Sequence, residues 1–153
     1  MVLLLSEIFD LVDKAKTREE KLFLLKKHEM PVVRGILKIN FHPEKLMDLP
    51  EGEPPFRKEG GKPVGYQETN LITEYRRFYI WLDPKQNLPK LRKEKLFIEM
   101  LEGLHISEAE LICHAKDKMI QKKWKTIKED LVREAYPMIL PPVEVKEKSI
   151  PLS

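Results

Sequence analysis

The sequence predicts an all-α protein: a compact bundle of about six to eight short helices, with one long Pro/Gly loop and an extended C-terminal tail. Three observations carry the prediction. Apolar residues recur at i, i+4 and i+7 through most of the chain, the spacing that lines one face of a helix. Ser/Thr-x-x-Glu patterns at Thr17, Ser107 and Thr126 read as capping boxes. The helix-breaking residues crowd together: four of twelve prolines and four of six glycines lie between residues 48 and 68. One helical domain over residues 1–136 follows, with 48–68 as a loop inside it and 137–153 as a tail.

In chain order, Ser6 is the expected N-cap of a first helix that presents Ile8, Leu11, Val12 and Ala15. Thr17 and Glu20 open a second helix reaching about Lys27, with Leu22 and Leu25 inward. Pro31 suits the first turn of a third, where its missing N–H costs nothing, and Val33, Ile36 and Leu37 form its inner face. Residues 48–68 can be neither helix nor central strand, and long loops in compact domains tend to be functional or mobile. Thr69 to Leu82 returns to a helical stripe of Leu71, Tyr75, Phe78 and Leu82, and a turn with two prolines follows.

Residues 91–136 read as three consecutive helices. The first carries Phe97, Leu101 and Leu104, with Ile98 beside them, and weakens at Gly103. Ser107 and Glu110 then form a capping box, completed by a staple of Ile106 on Leu111, and the second helix buries Ile112, Ala115 and Met119. Thr126 and Glu129 open the third, with Ile127, Leu131 and Ala135 inward, and Pro137 stops it. The expected core is Ile8, Leu11, Leu22, Leu25, Ile36, Tyr75, Phe78, Phe97, Leu101, Leu111, Ile112, Ala115, Leu131 and Ala135.

With 28 basic and 25 acidic residues the net charge is +3, so any basic binding surface must come from local clustering. A single cysteine, Cys113, forbids an intrachain disulfide and fits a reducing compartment. The opening Met-Val-Leu-Leu-Leu is too short for a signal-peptide core, and no apolar run approaches membrane-spanning length. A cytoplasmic protein without membrane contact is expected.

Catalytic motifs are scarce. Glu102-x-x-His105 matches one element of a carboxylate-bridged di-iron site, but such a site needs a second Glu-x-x-His and two more glutamates. Cys113 sits among Leu111, Ile112 and Ala115, which predicts an inert core thiol. Gly60-Gly61-Lys62 is followed by Pro63 where a phosphate loop needs Ser or Thr. No enzyme activity, cofactor, metal or small-molecule substrate is therefore expected.

Two features point to partners. Residues 116–128 hold six lysines and Trp124, so Lys116, Lys118, Lys122, Lys123, Trp124 and Lys125 are candidate nucleic-acid contacts, joining cationic tracking to base stacking. The competing reading is a solvated lysine face beside a core tryptophan. The Pro/Gly loop and the tail are candidate protein contacts through Pro54, Pro55, Phe56, Ile139, Leu140, Val143 and Val145. In the tail, Val143-Glu144-Val145-Lys146 alternates like an extended arm laid along a partner.

The stretches LFIEMLEGLHISEAELICHAKDK and LVREAYP, the loop Leu49-Pro50-Glu51-Gly52-Glu53-Pro54-Pro55-Phe56 and the start SEIFDLVDKAKTREEK together resemble a family of uncharacterised small proteins of T-even-like tailed phages, cyanophages included. The resemblance spans most of residues 6–141. It implies a phage origin and carries no catalytic residue with it. The expectation is then a phage-encoded, non-enzymatic interaction protein docking on a larger phage assembly, as virion component or assembly factor. It would work in the host cytoplasm or packaged in the virion, with phage or host proteins as partners. The alternative is a nucleic-acid-binding or host-takeover accessory protein that uses the lysine run.

Overall fold

A computed structural model describes residues 3–58, 63 and 65–142. Eight α-helices and no strand occur among the described residues: α1 (Leu5–Lys14), α2 (Arg18–Lys27), α3 (Pro31–Phe41), α4 (Leu71–Glu74), α5 (Tyr79–Leu82), α6 (Lys90–Gly103), α7 (Ile106–Lys116) and α8 (Glu129–Ala135). Short 3-10 turns cover Tyr75–Arg77 and Ile120–Lys122. Helix α7 is the centre and packs on α1, α3 and α6, while α2 bridges α1 and α8. Ala109, Leu111, Ile112, Cys113 and Ala115 of α7 are all buried, because neighbours enclose it on several sides.

Helix starts follow local chemistry where the capping group has no other task. Thr17 Oγ1 accepts the Glu20 N–H at 3.1 Å, and Pro31 is the first residue of α3. The other expected starts shift because their hydroxyls are taken by distant partners. Helix α1 begins at Leu5, with the Glu7 carboxylate accepting the Leu4 N–H at 2.8 Å, and Ser6 is buried with its Oγ 2.8 Å from Ser107 Oγ. Helix α7 begins at Ile106, and His105 Nδ1 accepts the Ser107 N–H at 3.1 Å. Glu110, freed from capping, pairs with Lys123 at 3.0 Å. Thr126 is tied to Asp13 through its N–H (2.8 Å) and its hydroxyl, so α8 starts at Glu129 without that box.

The Thr69–Leu82 stretch is not one helix. Asn70 caps α4 by accepting the Thr73 N–H at 2.8 Å, and the chain tightens into a 3-10 turn before α5. Tyr75, Phe78 and Trp81 are spaced by three, and the tighter turn eclipses i and i+3 side chains. Their rings form a ladder, Tyr75 to Phe78 at 5.0 Å, Phe78 to Trp81 at 5.9 Å and Trp81 to Phe97 at 5.6 Å. Tyr75 also lies over Gly35, where a Cβ would come 2.3 Å from its hydroxyl.

Most of the expected core is buried, with three departures. Leu11 is 45% exposed, since Leu5, Ile8, Phe9 and Val12 are the residues of α1 that turn inward. Leu22 and Tyr75 are partly buried and pack against the core edge. Past α8 the chain folds back. The Tyr136 hydroxyl donates to the Leu25 carbonyl, Arg133 donates to the Pro141 carbonyl at 2.6 Å, Leu140 is buried and Ile139 packs on the core. Ile139 and Leu140 thus serve the body itself, correcting the expectation that the tail extends from residue 137. Val143 and Val145 lie outside the described residues.

Candidate interaction site

The two ends of α7 carry buried charges of opposite sign. At its start, Glu108 is fully buried, and its carboxylate accepts the Leu5 N–H (2.8 Å) and the Leu71 N–H (2.9 Å). Those are the first residues of α1 and α4, so one anion satisfies two helix N-termini. Burial pushes the Glu108 carboxyl above the usual range, against the pull of those two donors.

At its end, Lys116 donates to the carbonyls of Pro50 (2.8 Å) and Gly52 (2.9 Å) and to Asp117 Oδ1 (2.8 Å). The side chains of Lys116 and Asp117 are only 1% and 10% exposed, so the pair works with little solvent screening. Asp117 Oδ2 then accepts the Gly52 N–H at 3.0 Å. Gly52 adopts φ +96°, a conformation that favours glycine. These contacts lock Leu49 to Phe56 into an arch. Further along, the Arg57 N–H donates to Glu102 at 2.8 Å, and Lys58 pairs with Glu53 at 2.7 Å while lying 5.3 Å from the Phe56 ring centre. Before it, the Asp48 N–H donates to the Trp81 carbonyl at 2.8 Å. The buried Lys93 ammonium, 2.8 Å from Asp48 Oδ2, holds that carboxyl below its usual range.

Beside the arch is a groove of 420 Å³, within the size range of ligand sites. Leu49, Pro54, Phe97 and Ile98 give it apolar walls, and Glu51, Glu53 and Glu94 line it too. Pro55 is exposed, whereas Pro54 and Phe56 are half-buried, Phe56 packing on the core. A second recess of 370 Å³ shares Glu51 and Glu53 with the groove and is also lined by His114 and Met119.

The lysine run divides. Lys116 is spent on the arch. Lys118 donates to the Ile39 and His42 carbonyls (2.9 and 2.6 Å), closing the C-terminus of α3, and burial lowers its pKa. Trp124 is 1% exposed, with its Nε1–H donating to Asp10 at 2.7 Å and its ring against Phe9 at 6.0 Å. It offers no face on which a base could stack. Lys123 is half-exposed, paired with Glu110 and 5.1 Å from the Trp124 ring centre. Of the six expected nucleic-acid contacts, Lys122 and Lys125 remain as exposed charges, with Lys128 near them in sequence.

Glu102 and His105 both have structural partners. Glu102 accepts the Arg57 N–H, and His105 caps α7. Burial pushes the Cys113 thiol up to about 12, so it is inert at neutral pH. The recess beside Glu102 and His105 encloses 40 Å³, room for water rather than a substrate. No group of three or more potential metal ligands occurs among the described residues. Gly60, Gly61 and Lys62 lie outside the described residues. No described helix is long and apolar enough to cross a membrane.

Sequence reasoning missed Glu108 and both buried-lysine roles. One signal was available: Glu108 lies among the buried positions of α7, where a lone carboxylate needs donors.

The chain belongs to a family of unknown function (DUF6433), whose pattern matches residues 8–122. No curated protein and no solved structure matches it.

Proposed function

We propose that this is a phage-encoded, non-enzymatic interaction protein that docks on a larger phage assembly, as virion component or assembly factor, through the arch and its groove. The carrying observation is the fixed arch. A proline-rich loop is held by a lysine with a 1% exposed side chain, while Pro55 and the acidic tip at Glu51 and Glu53 stay exposed. Binding residues concentrate on loops positioned by rigid scaffolds, and prior ordering lowers the entropy cost of association. The inert thiol and the engaged Glu102 and His105 support a binding role over a catalytic one. Phage origin rests on the resemblance of the α1, arch, α6–α7 and α8 sequences, and under this reading the protein works in the host cytoplasm or is packaged in the virion. The test is mass spectrometry of purified particles and of assembly intermediates from infected cells, comparing wild type with Ile98→Glu. Wild-type protein found in either fraction, and lost with the variant, supports the reading; wild-type absence from both contradicts it.

A second reading, a nucleic-acid-binding or host-takeover accessory protein, is favoured by the exposed Lys122, Lys125 and Lys128. It predicts binding that weakens steeply with salt and is lost in Lys122→Glu with Lys125→Glu. Absence of binding at low salt removes it.

A further inference from the structure

The groove beside the arch also points to the chemistry of what fills it. We propose that its occupant is a short protein segment that inserts an apolar side chain and carries lysine or arginine on both sides. This rests on the reading of the arch as a docking element.

Charge is the first argument. Among the described residues, three carboxylates, Glu51, Glu53 and Glu94, line the groove, and the one cation in its lining is Lys116. That ammonium is buried and already gives its hydrogen bonds to Pro50, Gly52 and Asp117, so it has nothing to offer an anionic partner. Glu53 is half-neutralised by Lys58, which leaves Glu51 and Glu94 as the acids facing a newcomer. A basic flank gains at this rim, and an acidic one meets like charge.

Shape and hydrogen bonding give the second argument. Between the acids the walls are Leu49, Pro54, Phe97 and Ile98, which reward an apolar side chain. Pro54 and Pro55 have no N–H, and the Pro50 and Gly52 carbonyls are already taken by Lys116. At these four positions the arch therefore offers an incoming strand few main-chain partners. Recognition is by side chain and charge, unlike strand addition at a sheet edge.

The experiment uses the full chain and three fluorescein-labelled hexapeptides, read by anisotropy. One has a pair of leucines between lysine pairs, one the same leucines between glutamate pairs, and one lysine pairs around two alanines. The lysine–leucine peptide is expected to bind about tenfold more tightly than either other, the scale of a lost rim charge pair or apolar anchor. Glu51→Lys with Glu94→Lys, both at sites with solvent access, should reverse the preference toward the glutamate–leucine peptide. Unchanged thermal melts confirm that each variant is folded. Equal binding of the two leucine peptides, no reversal in the double variant, or no binding of any peptide overturns the proposal. If Ile98→Glu still abolishes incorporation into particles while these peptides fail, the docking reading stands and only the partner chemistry falls; if both fail, both fall.

Discussion

Glu108 and Lys116 sit at opposite ends of one helix, and each gathers backbone groups from elsewhere in the chain. Glu108 collects N–H groups at the starts of α1 and α4, while Lys116 collects carbonyls from the arch. The two hubs differ in what depends on them. Glu108 joins helices whose apolar faces are already in the core, so its loss disturbs the body. Lys116 holds a loop whose own apolar anchorage is modest, so its loss should free the arch and spare the helices. A body and a presented loop can thus be fixed by the same helix yet fail separately.

The largest expected effect comes from Glu108→Ala. It leaves two buried N–H donors without acceptors at about 1–3 kcal/mol each, so denaturant melts should show a loss of about 2–6 kcal/mol. A loss under about 0.5 kcal/mol, the size of an ordinary surface change, would break the comparison at its strong end. The pH dependence sharpens it. Burial raises the folded-state carboxyl of Glu108 above its ordinary 4.5, so the folded protein holds that proton longer than the unfolded chain. The associated stability is fully present below 4.5 and is lost as pH rises through the folded-state value. Wild type measured against Glu108→Gln should therefore lose relative stability upward from pH 4.5; the opposite slope contradicts this.

Lys116→Met should cost less, about 2 kcal/mol by equilibrium unfolding, because the freed arch can carry its carbonyls toward water and uncover Asp117 to solvent. A cost matching Glu108→Ala would mean that arch and body are one cooperative unit. Thr17→Ala should cost about 1 kcal/mol in the same melts, since its hydroxyl is the acceptor for the Glu20 N–H. Smallest is Lys122→Glu with Lys125→Glu. Both lysines are exposed, and stability should stay within about 0.5 kcal/mol.

The fold class was legible because helical periodicity and proline placement act over a few residues. Thr17 and Pro31 behaved as their neighbours required. Ser6, Ser107 and Thr126 did not, since each found a partner about a hundred positions away, beyond any local pattern. The site was legible only in part. Pro54, Pro55 and Phe56 are on the arch, but Lys116 and Lys118 read as a solvated or nucleic-acid-binding run when Lys116 is a buried tie to Pro50 and Gly52 and the half-buried Lys118 a tie to Ile39 and His42. A lysine's sequence neighbours do not say whether carbonyls wait at the end of its side chain. Trp124 carried two readings, a stacking surface among basic neighbours and a core residue; the second holds, with its indole N–H anchored on Asp10 inside the bundle.

The central claim is that the arch is ordered in the free protein and held by Lys116. Amide hydrogen exchange of Gly52, whose N–H is bonded to Asp117, tests it most directly, with Leu5 and Leu71 as reporters of the body. Wild type should protect all three, and Lys116→Met should speed exchange at Gly52 while leaving Leu5 and Leu71 protected. A Gly52 amide that exchanges at the rate of a free peptide in wild type, or loss of protection at all three sites together in Lys116→Met, would contradict the account.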